Sequence, residues 1–355
     1  MIDKNQVDEW KQLVLTNPKR LQEEEDVISK YGQIFHPSNL DRLTKEDFKS
    51  FLVIKNNRHW DGIHRQGNMI TENMPRLIGA LKILLDETRS LKERLDDLFP
   101  PKGPSMIKGL GRAIVTPILL VIHPERYGVF NTKSEAGLEA AGLLPNLKGK
   151  SFAERYIAVN EVLRQFAKEH ELTLWQTDEI VGWLSLGNKP IGSEEDEDSE
   201  VVEAILQKEG VTDVAEFGLE KFLEEFLVYN WDKTPLGATH SILEEDGDLI
   251  GQQYDTKIVG RIDILAKSKD GNEWLVIELK RGRSSDEVVG QVLRYIGFVT
   301  EHLASEGETV KGLIILGSHD DRIRYALKTL PNVSLQTYEV NFKLNNMEGV
   351  LHNLG

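Results

Sequence analysis

Three residues carry most of the chemistry legible in this chain: Asp263, Glu278 and Lys280. They lie in the run Lys257-Ile-Val-Gly-Arg-Ile-Asp263-Ile-Leu-Ala266, a polar stretch Lys267-Ser-Lys-Asp270-Gly271-Asn-Glu273, and then Trp274-Leu-Val-Ile-Glu278-Leu-Lys280-Arg281. Two carboxylates on neighbouring strands with a lysine beside them make a hard-oxygen site for Mg²⁺, and the lysine is placed to orient or deprotonate the metal's water. Alone, a Glu-x-Lys on a strand usually means a solvated charge pair. Here Asp263 is enclosed by Ile262 and Ile264-Leu265-Ala266, and Glu278 by Leu275-Val-Ile277 and Leu279. Charge in so apolar a setting is costly unless a metal or a partner compensates it.

The elements that must position these groups follow from spacing. Asp270-Gly271 between two β-rich runs predicts a hairpin, because a tight turn needs positive φ there. Alternation then puts Glu278 and Lys280 on one face and Leu275, Ile277 and Leu279 on the other. Strands are expected near 250–254, 258–266 and 274–280, followed by a helix over 286–303, a strand at 312–316, a helix at 321–329 and a strand at 334–342. On the 286–303 helix, Gln291 and Tyr295 are four apart and share a face, with Arg294 adjacent; a capping or packing pair is the alternative reading. Helices are also expected at 201–209 and 219–230. In the latter, Leu219, Phe222, Leu223, Phe226 and Leu227 form the apolar stripe. Glu220 lies nearest its border, and Glu224, one turn later, is the alternate acidic group. A merely solvated acidic face is the alternative reading for Glu220.

Asp263, then Glu278-x-Lys280 on the next strand, then Gln291-x-x-x-Tyr295, resembles the PD-(D/E)XK nuclease superfamily. The wider run Gly260-Arg-Ile-Asp263, Ile277-Glu278-Leu279-Lys280-Arg281 and Val289-Gly-Gln291-Val-Leu-Arg294-Tyr295 is similar to NucS-like and RecB-like nuclease domains, over roughly residues 205–345. The resemblance implies an α/β core, a mixed sheet flanked by helices. It implies Mg²⁺ (or Mn²⁺) held by Asp263, Glu278 and the Leu279 carbonyl, with Lys280 handling the attacking water and the charge building on phosphorus. The first acidic position of the family falls on Glu220, and its glutamine, Gln291 here, lies near the metal and the substrate phosphate. Arg281, Arg283 and Arg294 suit phosphate contacts. The expected activity is that of a Mg²⁺-dependent deoxyribonuclease, in restriction, repair or anti-phage defence. The alternative is a non-cleaving DNA-binding or assembly module on the same fold.

Residues 1–187 read as a mostly α-helical domain that would choose the substrate. Leu77, Leu81, Leu84, Leu85, Leu91, Leu95 and Leu98 keep helical spacing through Met74–Phe99, and a second long helix is expected over Phe152–Glu169. Ile107-Lys108-Gly109-Leu110-Gly111-Arg112 resembles the glycine hairpin of helix-hairpin-helix DNA-binding proteins, in which backbone N–H groups at a helix N-terminus approach a phosphate. A plain packing corner between helices reads equally well. The base-removing members of that family continue with Pro-x-x-Tyr and an acid. Here His123-Pro124-Glu-Arg-Tyr127-Gly-Val-Phe-Asn131 has asparagine where the acid would fall, which argues against base removal. Trp60-Asp-Gly-Ile-His64-Arg65-Gln is a candidate partner surface without diagnostic spacing, and His59, His64 and His123 show no metal spacing.

Gly187 to Pro190 followed by six acidic residues within Glu194–Glu200 reads as a solvated linker, set at 188–204, before a nuclease-like domain at 205–355. A 355-residue chain that is 40% apolar is comfortable for two cores. With no cysteine, disulfides, zinc ribbons and thiol nucleophiles are excluded. No segment suggests a membrane span or a signal peptide, so the expectation is a cytoplasmic protein. The formal charge of −15 argues against a bulk DNA coat, whereas Lys280, Arg281, Arg283, Arg294, Arg322, Arg324 and Lys328 gather basic charge near the candidate site. DNA is the expected partner, and a homodimer is one arrangement this would allow.

Overall fold

A computed structural model of the chain describes residues 4–53, 66–99, 103–185, 223–283, 286–318 and 321–339. The chain divides into two compact units. The first is Met1–Glu209 with Glu244–Ile250; the second is Gly210–Leu243 with Gly251–Gly355. No helix of the described residues is long and apolar enough to cross a membrane. The expected 201–209 helix and the 188–204 linker lie outside the described residues.

The first unit is helical: α1 Lys4–Thr16, α2 Pro18–Ile34, α3 Lys45–Phe51, α4 Gly67–Ile70, α5 Met74–Leu84, α6 Leu91–Leu98, α7 Arg112–Ile122, α8 Thr132–Ala140, α9 Phe152–His170 and α10 Leu174–Ser185. Local chemistry sets most of the starts. Thr44 with Asp47, Ser90 with Glu93, Asn131 with Ser134, and Ser151 with Glu154 close capping boxes on α3, α6, α8 and α9. The leucine run Met74–Phe99, expected as one helix, is two. Asp86 Oδ1 accepts both the N–H and the hydroxyl of Thr88, and the Ser90–Glu93 box then restarts the chain as α6. Helical spacing persists across the break because both pieces bury leucines in one core.

The beginning of α7 differs from the others. Its cap residue, Gly111, has no side chain to offer. The Asp248 carboxylate accepts the Ala113 N–H at 3.0 and 3.2 Å instead, and the Asp246 carbonyl accepts the Arg112 N–H at 3.1 Å. Arg112, 1% exposed, lies over the Phe130 ring and reaches Glu135 at 2.7 Å, Glu245 at 3.1 Å and Asp246 at 3.5 Å. Arg155 pairs with Asp246 as well. The acidic turn Glu244–Asp248 is thus an integral cap of the helical unit.

Burial pushes the Asp248 carboxyl up from 3.8 to about 7, against the pull of the Ala113 N–H and Arg112. A carboxyl raised on folding binds more protons folded than unfolded between those two values. Its contribution to stability therefore falls as pH rises through that window and levels off above it. The melting temperature should accordingly carry a component that declines from pH about 4 to about 7 and is absent in Asp248→Asn. Parallel pH profiles for the two proteins would refute this.

The second unit is built on a six-stranded sheet with the order β1-β3-β4-β5-β6. The strands are β1 His240–Ile242, β2 Gln252–Asp255, β3 Arg261–Ser268, β4 Glu273–Arg283, β5 Thr309–Ser318 and β6 Val333–Thr337. β1 and β2 pair with successive parts of β3; β3 and β4 form an antiparallel hairpin; β5 and β6 add in parallel through the helices Asp286–His302 and Asp321–Leu327. This is the mixed sheet flanked by helices that the sequence implied. The Asp270-Gly271 turn is looser than a two-residue turn. Only Gly271 has positive φ, 81°, and Asp270 Oδ1 accepts the Ser268 hydroxyl and the Asn272 N–H across a four-residue loop, 269–272. β3 starts at Arg261 rather than 258 because Lys257, at φ 64°, and Gly260, at φ 110°, make a turn closed by the Thr256 hydroxyl on the Gly260 carbonyl.

Val276 and Trp274 of β4 pack with Ile262, Leu265, Ile314 and Leu316 beneath Val288, Val292, Tyr295, Ile296 and Val299 of the Asp286–His302 helix. Leu275, Ile277 and Leu279 are buried on the opposite face. Strands covered on both faces read as unbroken apolar runs. That leaves the charges of Asp263 and Glu278 conspicuous in the sequence.

Candidate active site

The β3–β4 pairs run from Lys267↔Trp274 to Ile264↔Ile277, and the same register sets Asp263 across from Glu278. The ladder stops there. Asp263 Oδ2 accepts the Leu279 N–H at 2.7 Å, so a side chain takes the bond a backbone carbonyl would have taken. Glu278 is 1% exposed and its Oε1 lies 3.1 Å from Lys280 Nζ, a neighbour two residues on along the same face. The three residues singled out by type and spacing are therefore together.

Glu220 lies outside the described residues. Its alternate, Glu224, is in the helix at 223–229 and is buried. Glu224 Oε1 accepts Gln252 Nε2–H at 2.8 Å, and Oε2 accepts Gln253 Nε2–H. That same Gln253 nitrogen donates to Asp263 Oδ1 at 3.0 Å. Gln253 falls between the pairs Gln252↔Ile264 and Tyr254↔Ile262, which sets it across from Asp263. Glu224 thus joins the site, and Gln252 and Gln253 are participants that sequence reasoning missed.

On the Asp286–His302 helix, Gln291 Nε2 donates to the Tyr295 hydroxyl at 3.1 Å. Tyr295 is buried, and its phenol is pushed up to about 12, first by burial and then by the negative charge of Glu278. Asp263 adds to that rise, so this tyrosine senses both carboxylates and stays protonated. Arg294 is exposed on the same helix. Arg281 and Arg283 are on β4, with side chains outside the described set. In the first unit, Lys108 and the glycine hairpin stand at the α7 start. The Arg112 and Ala113 amides there are already engaged by Asp246 and Asp248, and a Cβ on Gly109 would press on Gln66 at 3.0 Å. Asn131 serves as the α8 cap, and 54–65, with His59, Trp60 and His64, lie outside the described residues.

The carboxylates of Glu224, Asp263 and Glu278 are oxygen donors of the kind that suits a hard divalent cation, with no sulfur or imidazole among them. Among the described residues no three Asp, Glu or His side chains are drawn together closely enough to hold an ion as they stand. At this site the amide of Gln253 bridges Glu224 and Asp263.

Residues 236–348 match the model of the endonuclease NucS C-terminal domain, a span that contains Asp263, Glu278, Lys280, Gln291 and Tyr295. The C-terminal half of the chain carries a NucS-like nuclease domain. A curated relative, the endonuclease NucS of Sulfolobus acidocaldarius, is 28% identical over 127 residues, covering 36% of this chain and 44% of the relative. The chain therefore spans less than half the length of the curated relative it matches. Among solved structures, an EndoMS–double-stranded DNA complex is similar at 19% identity and a TM-score of 0.27, over 34% of this chain and 44% of that one. A repair endonuclease from Pyrococcus abyssi is similar at 18% identity and a TM-score of 0.23, over 43% and 50%.

Proposed function

We propose that the second unit is the catalytic part of a divalent-metal-dependent DNA endonuclease. The observation that carries this reading is the meeting of Asp263, Glu278 and Lys280 where the β3–β4 ladder opens. The match of this segment to the NucS C-terminal domain supports it. Asp263, Glu278, Glu224 and the Leu279 carbonyl would hold Mg²⁺ or Mn²⁺. Such an ion supplies Lewis acidity toward a phosphoryl oxygen and a water acidic enough to attack near neutral pH.

The remaining chemistry belongs to the chain. The Lys280 ammonium, fixed by Glu278, orients the attacking water and offsets negative charge growing on the phosphate. Gln291 has one amide hydrogen committed to Tyr295, which steadies its other groups for the scissile phosphate. Arg281, Arg283 and Arg294 would add phosphate contacts, which a chain of net charge −15 needs locally. Substrate choice falls to the helical unit, and restriction, repair and anti-phage defence all suit such a reaction.

A panel of labelled single-stranded, duplex, forked and mismatched DNA and of RNA, with Mg²⁺ or Mn²⁺ and with EDTA, tests the reading. Metal-dependent loss of a DNA substrate is expected. Binding without cleavage under every metal condition would leave a non-cleaving DNA module. Within that assay Gln291→Ala should lower kcat by about tenfold to a hundredfold. Tyr295→Phe should cost less, since it removes only the anchor of the Gln291 amide. Full activity in both, with only a lower melting temperature, would reduce the pair to packing.

A further inference from the structure

We propose that Gln253 is a positioning residue for the metal, its neutral side-chain amide holding the Glu224 and Asp263 carboxylates in place for the ion. This rests on reading the site as a divalent-cation centre.

The geometry begins with a break in alternation. Successive side chains of a strand point to opposite faces, so Gln252 and Gln253 of β2 should not reach one target. Both reach Glu224: Gln252 bonds Oε1 at 2.8 Å and Gln253 bonds Oε2. What permits this is the backbone of Gln253, whose φ of 54° lies in the left-handed region that a non-glycine residue seldom adopts. Strain of this kind persists where surrounding structure over-determines it, and it gathers at functional sites. The pairs Gln252↔Ile264 and Tyr254↔Ile262 clamp the strand on either side. With that backbone, one nitrogen serves two carboxylates, donating to Glu224 and, at 3.0 Å, to Asp263 Oδ1.

Two carboxylates gathered on one nitrogen repel each other unless something positive stands near. The two hydrogens of a primary amide fit that place, one for each carboxylate. An arginine or lysine would do so as well, but would bring a full charge and compete with a divalent ion. The amide brings none, so it gathers the two carboxylates without adding a charge that would compete with the ion. Gln252 completes the grip from the other side, with its own Oε1 buried and without a hydrogen-bond partner. Glu224, one helix away from the hairpin, is thereby tied to Asp263 before any cation arrives.

The test is Mn²⁺ binding without nucleic acid, by calorimetry and by the rise in melting temperature that the ion produces, in the full chain. Gln253→Leu should weaken binding by about tenfold or more, the scale seen when groups supporting metal ligands are removed. Gln253→Gly relieves the backbone and should lose affinity equally, which separates the amide's role from the strain. Gln253→Lys should melt at or above the wild-type temperature without metal and lose the Mn²⁺-induced rise, an outcome that a packing role does not produce. Wild-type Mn²⁺ affinity in Gln253→Leu, or an intact Mn²⁺ response in Gln253→Lys, would overturn the proposal. Equal Mn²⁺ binding by wild type and Asp263→Asn would instead overturn the metal reading of the site, and this role with it. Mn²⁺ binding as described, with no DNA cut, would overturn the proposed activity and leave Gln253 in its role.

Discussion

Asp263→Asn and Glu278→Gln should each lower metal-dependent hydrolysis of a labelled DNA by about 10³-fold or more, equivalent to about 4 kcal/mol of lost transition-state stabilisation. Both changes keep shape and remove charge. In Asp263→Asn the new amide still presents an oxygen to the Leu279 N–H, so the opening of the hairpin should survive. In Glu278→Gln the new side chain still fills a space that is almost wholly closed to solvent. Glu278→Gln should therefore melt near the wild-type temperature and Asp263→Asn somewhat below it, because its new amide nitrogen faces the Gln253 donor; both should bind Mg²⁺ more weakly. Lys280→Met separates the roles. An ammonium is not a metal ligand, so Mg²⁺ binding should persist while kcat falls, and the loss should appear in kcat more than in KM. Near-normal cleavage by purified Glu278→Gln would remove the assignment altogether.

How much of this was legible depended on whether a feature was local. The hairpin could be read because alternation is strict and Asp270-Gly271 marks its turn, and the charges at 263 and 278 stood out against apolar neighbours. Gln291 and Tyr295 were legible because helix spacing puts them on one face. Gln253 was not. Its role depends on a positive φ that breaks the two-residue period, and no pattern in Gly251-Gln-Gln-Tyr254 announces that break. Glu224 was legible only as an alternate, since the glutamines that hold it come from β2, about 28 residues along the chain. The three-residue β1 is too short to show a period. The role of the turn at Glu244–Asp248 was hidden for a different reason. Nothing in its charge run registers that a buried Arg112 and an uncapped helix start elsewhere in the chain engage those carboxylates.

That turn gives the second large effect. Gly111→Val should destabilise the helical unit by about 3 kcal/mol or more and lower its melting temperature by about 10 °C. The cause is steric rather than conformational, since Gly111 has an ordinary φ of −92°. A Cβ there would fall 2.0 Å from Asp248 Oδ1, 2.3 Å from its backbone nitrogen and 2.4 Å from the Gly247 carbonyl carbon. Two of those atoms are backbone, so no rotamer change clears them. The acidic turn must leave, taking the Ala113 cap and three of the carboxylates around Arg112. Gly111→Ala should act in the same direction, because the first added carbon already makes the clash. Asp248→Asn should cost far less at neutral pH, as its Oδ1 can still accept the helix N–H. Any loss of DNA affinity in Gly111→Val must then be compared with its melting curve before it is assigned to phosphate contact. Differential scanning calorimetry with hydrogen exchange read at α7 decides the matter. A Gly111→Val protein that melts with the wild type and protects α7 amides as well would show that this turn does not cap the helix.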